Sequence, residues 1–150
     1  MVNPFDLRTV LLAKHAQHVV LIHFPIALFI TSVAFDYVAQ WTKNRTLAAA
    51  AHLNLLLAAI SSIPVVATGF AAWQWALDGQ KLKGVLLLHL VLGCASTALV
   101  WLVYWIHWRV RRTPASALGA IRLPVEAVAV VLVALTGHLG GFLTGVNGPS

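Results

Sequence analysis

Acidic side chains are nearly missing from this sequence. Four Asp and Glu residues stand among 150, and all charged residues together make up 9%. A water-soluble domain of this length needs a charged shell, so the scarcity argues against one. Cysteine is missing too, apart from Cys94 inside an apolar run. With one cysteine and no Cys-x-x-Cys-His, a disulfide framework and a covalently attached c-type haem are both excluded. Cys94 is expected to be a small buried hydrophobe. No basic stretch is interleaved with aromatics in a polar context, so the formal charge of +6 does not point to nucleic acid. The N-terminus lacks a basic region running into an apolar core with a small-residue cleavage site, so the first apolar run is expected to stay in the mature protein.

What is present is hydrophobic: 60% of the residues, with the few charges gathered in short clusters between long uncharged runs. A spanning helix needs about 20 apolar residues and satisfies its own backbone hydrogen bonds. The pattern predicts an all-α integral membrane four-helix bundle, one domain over 1–150, with spans at about 19–39, 47–75, 84–108 and 124–146. Asn3, Pro4 and Asp6 resemble a helix start, which predicts a short interfacial helix over about 4–15 with Arg8 and Lys14 wet. Pro25 is expected either to begin the regular part of the first span or to kink it, Pro64 to bend the second, and His23 to sit at a local break. Tryptophans at the run ends, Trp41, Trp73, Trp75, Trp101, Trp105 and Trp108, read as interfacial anchors.

Four spans put both termini on one side. Lys43, Arg45, Arg109, Arg111, Arg112 and Arg122 outnumber the basic residues of the N-terminal segment and second loop, Arg8, Lys14, Lys81 and Lys83. The positive-inside rule then places the termini outside, periplasmic in a bacterial inner membrane.

Seven histidines are the chemistry-bearing residues of this chain. His18 and His23 enter the first span from the terminal side. His89 lies about 9 Å along the helix from Lys83, and His138 about 13 Å from Asn147. Four imidazoles thus gather at one end of the bundle, while Asp36, His52, His107 and Glu126 fall toward the other, with His107 expected at the interface. Haem b in a helical bundle takes two neutral imidazoles from facing helices, room beside each for the macrocycle, and basic groups for the propionates. Gly93 one turn from His89, the Gly137, Gly141 and Gly145 face around His138, and Arg8, Lys14, Lys81 and Lys83 meet those needs. A three-histidine metal site lacks any His-x-x-x-His or Glu-x-x-His pairing. Interhelical hydrogen bonding by the same histidines is the plain alternative.

The segment His18-Val-Val-Leu-Ile-His23-Phe-Pro-Ile-Ala-Leu, with Phe35-Asp36, Thr68-Gly69, His89 and Leu139-Gly140-Gly141, resembles the bacterial four-helix membrane proteins catalogued as domain of unknown function 2231. The resemblance covers most of the chain. It implies a four-helix integral membrane domain often found alongside redox proteins, with histidines suited to haem b. The chain departs from the family where His18-Val19 replaces His-Pro, where Gly145-Val146-Asn147-Gly148 replaces a tyrosine-arginine-histidine-glycine-like segment, and where His138 replaces a tryptophan.

The resulting expectation is a cytochrome b-like subunit passing electrons between a periplasmic redox partner and quinone or another membrane subunit. It is not expected to be an enzyme by itself. His23 and His89 are the expected axial pair, His138 the alternative ligand, and His18 a contact beside the ligands or at a propionate. A non-catalytic subunit of a larger membrane complex, packing through the Gly137, Gly141 and Gly145 face, is the rival. A small transporter using Asp36, His52 and Glu126 is a third reading.

Overall fold

The computed structural model describes residues 16–113 and 118–145. The expected interfacial helix, with Arg8, Lys14 and His15, lies outside the described residues. Five helices follow: α1 (Ala16–Leu21), α2 (His23–Thr42), α3 (Arg45–Ala76), α4 (Gly84–Arg112) and α5 (Leu118–Leu143). Four stretches are long and apolar enough to cross a membrane: Gln17–Thr42, Arg45–Trp75, Gly84–Arg112 and Leu118–Leu143, at mean hydropathies of 2.0 to 2.2. The protein is an all-α four-helix membrane bundle.

Local chemistry sets the element ends. Pro25 has no N–H to give the carbonyl of Leu21, and the chain turns at Ile22, immediately before His23. Lys43 adopts a left-handed conformation, φ 56°, which reverses the chain after α2, and the Asn44 side chain then accepts from the N–H groups of Thr46 and Leu47 to cap α3. Helix α5 starts at Leu118, ahead of Pro124, where the fourth span was expected to begin. Pro124 is the seventh residue of α5, so its missing N–H costs the helix the bond to the carbonyl of Ala120.

Helix α2 packs mainly on α3, and α4 mainly on α5. The result is two helical hairpins, joined chiefly where α3 meets α4 and more lightly where α2 meets α5. One end of the bundle holds His18, His23, His89 and His138 and is called here the histidine end. The other holds Arg45, Arg109, Arg111, Arg112 and Arg122 and is called the arginine end. The core is built from Phe29, Val33, Leu55, Ala58, Ala59, Val100, Val103, Ala129 and Val133. Small residues on α3 let its backbone approach α2, as expected where lipid supplies no hydrophobic drive for helices to associate. Cys94 is exposed on the apolar surface of α4, not buried as expected, because a lipid-facing position serves a small hydrophobe equally well.

The core is not spread evenly. Every fully buried described residue lies between Pro25 and Ala39, Ala51 and Ser62, Ser96 and His107, or Glu126 and Val133. At the histidine end, residues 17–24, 63–75, 84–95 and 134–145 contain none. The described residues there are half-buried or exposed.

Candidate functional site: two cradled histidines

At the histidine end, two histidines are seated in matching ways. His18 lies half-buried against α3, its Nδ1 3.1 Å from the carbonyl of Val65 and 3.3 Å from Thr68 Oγ1. Its ring rests on Gly69, where an added Cβ would meet Cε1 at 3.0 Å. His89 lies half-buried against α5, its Nδ1 3.1 Å from the carbonyl of Thr136. Its ring rests on Gly140, where a Cβ would meet Cε1 at 3.2 Å. In both cases the carbonyl lies one helical turn before the glycine, so one turn of helix supplies both the acceptor and the space.

A carbonyl oxygen only accepts, so each Nδ1 must carry the ring proton. Each Nε2 is then the lone-pair nitrogen, and it takes no hydrogen bond from a described residue. This is the arrangement that fixes a metal-ligating histidine, with the far nitrogen anchored on a carbonyl. The two rings are within electrostatic reach of one another. Ser96 Oγ, 3.0 Å from Thr136 Oγ1, ties α4 to α5 beside the His89 cradle.

The matching is a property of the whole chain. Each histidine lies 47 residues before its carbonyl partner. A shift of 71 residues carries 18 to 89, 65 to 136 and 69 to 140. The same shift pairs most buried residues with buried ones: Pro25 with Ser96, Phe29 with Val100, Ser32 with Val103, Asp36 with His107, Leu55 with Glu126, Ala58 with Ala129 and Ser62 with Val133. The hairpins are therefore two copies of one unit with the same direction through the membrane, which makes His18 and His89 equivalent residues.

The other expected site residues lie elsewhere. His23 is exposed on the outer face of α2, its Nδ1 2.7 Å from the carbonyl of Val19 in its own chain segment. His138 is exposed on α5, edge-on to Phe142 at 5.0 Å between ring centroids. Gly93 faces Thr136 and not His89, and Gly137 has open space where a Cβ would stand. Lys81 and Lys83 are exposed at the histidine end.

The arginine end holds a second cluster. His107, expected at the interface, is instead 3% exposed and contacts Glu126, itself 1% exposed, through Nε2 and Oε1. Its Nε2 lies 3.9 Å from Asp36 Oδ2, and Arg122 Nε lies 3.0 Å from the same oxygen. Ligating atoms of Asp36, His107 and Glu126 all fall within 4.8 Å of one another. Position in the sequence put His107 beside the tryptophans and arginines, but the face it occupies on α4 turns it inward.

A family model described as a predicted membrane protein, DUF2231, matches residues 14–148. The chain belongs to the DUF2231 family. The match runs through both hairpins of this DUF2231 protein, so it takes in the two cradles and the buried cluster alike. No curated protein and no solved structure matches the chain.

Proposed function

We propose that this DUF2231 protein is a haem b-binding electron-transfer subunit of the membrane, with His18 and His89 as the two axial imidazoles. The observation that carries the reading is the repeated cradle: each ring is held by a carbonyl at Nδ1 and a glycine at its face, with Nε2 left as donor. His18 takes the place that the sequence expectation gave to His23, which is exposed and has no cradle on another helix. The donor set is what fits haem b: two imidazoles from different hairpins, each with Nδ1 on a carbonyl and a glycine against its ring. Such a group supplies one-electron exchange when bound. The chain's own contribution is to hold both rings in one tautomer, keep the site apolar and set Lys81 and Lys83 near the surface for propionates. A periplasmic redox partner on the histidine side and quinone or another membrane subunit are the proposed donor and acceptor.

The test is an optical spectrum and pyridine haemochrome assay on purified protein, supplied with haem during expression. A Soret band that is lost in His18→Ala and in His89→Ala, and kept in His23→Ala, is the expected result. Protein that carries no haem under these conditions sinks the reading. Co-purification of a stable complex with no cofactor in this chain would then favour the structural-subunit role, for which the open face at Gly137 is the observation.

A further inference from the structure

We infer that Asp36, His107, Glu126 and Arg122 form a buried binding site for one exchangeable proton at the arginine end of the bundle. The inference is independent of the haem reading, because the site lies 18 residues along the helix from each cradled histidine, about 27 Å.

The first argument is charge. Two carboxyls, one guanidinium and one imidazole meet where the side chains of Asp36, His107 and Glu126 are at most 4% exposed and that of Arg122 is 11% exposed. Fully ionised carboxylates with one arginine and a neutral imidazole leave one uncompensated negative charge. An unpaired buried charge is costly, and one added proton removes it. A divalent metal bound by the same three ligands would instead leave an excess positive charge beside Arg122. The proton is thus the cation that the site balances.

The second argument is geometry. Asp36 Oδ2 and Glu126 Oε2 are both buried without a hydrogen-bond donor among the described residues. Arg122 reaches Asp36 Oδ2 as an ion pair, but it does not align for a hydrogen bond. Meanwhile a ligating oxygen of Asp36 and one of Glu126 lie within 4.8 Å of each other. Two ionised carboxylates so close repel and offer neither orphaned oxygen a donor, whereas one added proton supplies a donor between them. The His107 contact to Glu126 is met by a neutral imidazole with its hydrogen on Nε2, so it leaves the demand for a proton to the two carboxyls.

Other groups face the cluster as well. Arg111 on α4 and His52 on α3 lie within electrostatic reach of His107. His52 is stacked on Tyr104 at 5.6 Å between ring centroids, and its Nδ1 is buried without a partner. On the repeat, His52 pairs with Leu123, which places it one turn nearer the arginine end than Glu126. A positive charge at Arg111 would lessen the need for a proton, but Arg111 is exposed to the surroundings and faces His107, whereas Arg122 is the guanidinium paired with Asp36.

The experiment uses the full chain in lipid nanodiscs, with metal content measured on the same sample. Infrared difference spectra in H2O and D2O detect a protonated carboxyl, and 15N spectra of histidine-labelled protein report whether His107 is an imidazolium. At neutral pH the expected result is one protonated group in the cluster, exchangeable with D2O, and no stoichiometric metal. In Asp36→Asn and in Glu126→Gln one carboxylate balances Arg122, so the proton is expected to be lost. A neutral His107 with no protonated carboxyl in the wild-type protein overturns the inference, as does one bound equivalent of metal. Retention of the proton in both folded variants overturns the charge argument. If the variants do not fold, the wild-type spectra decide alone.

Discussion

His18 and His89 are the same residue of one repeated hairpin, each with Nδ1 on the backbone carbonyl 47 residues further along the chain. That equivalence gives the bundle two matched imidazoles, one on each hairpin, without any change in backbone design. It also means that damage to one cradle should be mirrored by damage to the other.

Gly69→Ala and Gly140→Ala test the cradles directly. The new methyl would lie 3.0 Å from His18 Cε1 or 3.2 Å from His89 Cε1, so each ring must shift or the helices must separate. Overpacking of this kind costs about 1–3 kcal/mol. Gly69→Ala is expected to be the worse of the two, and Gly137→Ala, which meets nothing within 4 Å, is expected to be neutral. Thermal unfolding followed by circular dichroism, with the optical spectrum as a second readout, checks the order.

Arg122→Gln removes the guanidinium in ion-pair contact with Asp36 at the arginine end. Leaving a buried partner uncompensated costs about 3–5 kcal/mol. Arg122→Gln combined with Asp36→Asn removes both members of the pair and is expected to recover part of that loss. A double-mutant cycle in detergent denaturation measures the recovery, and additive losses would show that the pair does not interact.

Ser96→Ala breaks the link between Ser96 Oγ and Thr136 Oγ1. Hydrogen bonds between membrane helices average about 0.6 kcal/mol. The loss should be of that size, since Thr136 Oγ1 keeps its bond to the carbonyl of Leu132 and His89 is held by backbone. A much larger loss would mean that the hydroxyl pair positions the His89 cradle.

The turn between α2 and α3 offers two opposed changes. Asn44→Ala removes a cap that serves two N–H groups and should cost about 1 kcal/mol. Lys43→Gly relieves a left-handed backbone at a non-glycine residue and should gain about 1 kcal/mol. Unfolding midpoints of the two variants should move in opposite directions.

Composition and apolar runs by themselves determined that this is a four-helix membrane protein, because a chain in lipid must close its backbone hydrogen bonds within each span. The break before His23 was legible for a similar reason, since Pro25 lacks a donor wherever it is placed. Sequence also placed four histidines at one end, because depth along a helix follows from counting residues. It did not show which of them face inward. His18 and His23 differ by one and a half turns, and in an all-apolar helix no polar face marks the lipid side. The repeat could have done so, since sliding the chain along itself aligns His18 with His89 and Gly69 with Gly140, leaving His23 opposite Cys94. Tertiary structure decided the remainder: the seats of the two rings on glycines of another helix, the burial of His107, and the meeting of Asp36, Glu126 and Arg122. Those depend on helix rotation and on contacts between distant residues, which a hydrophobic pattern uniform around each helix does not encode.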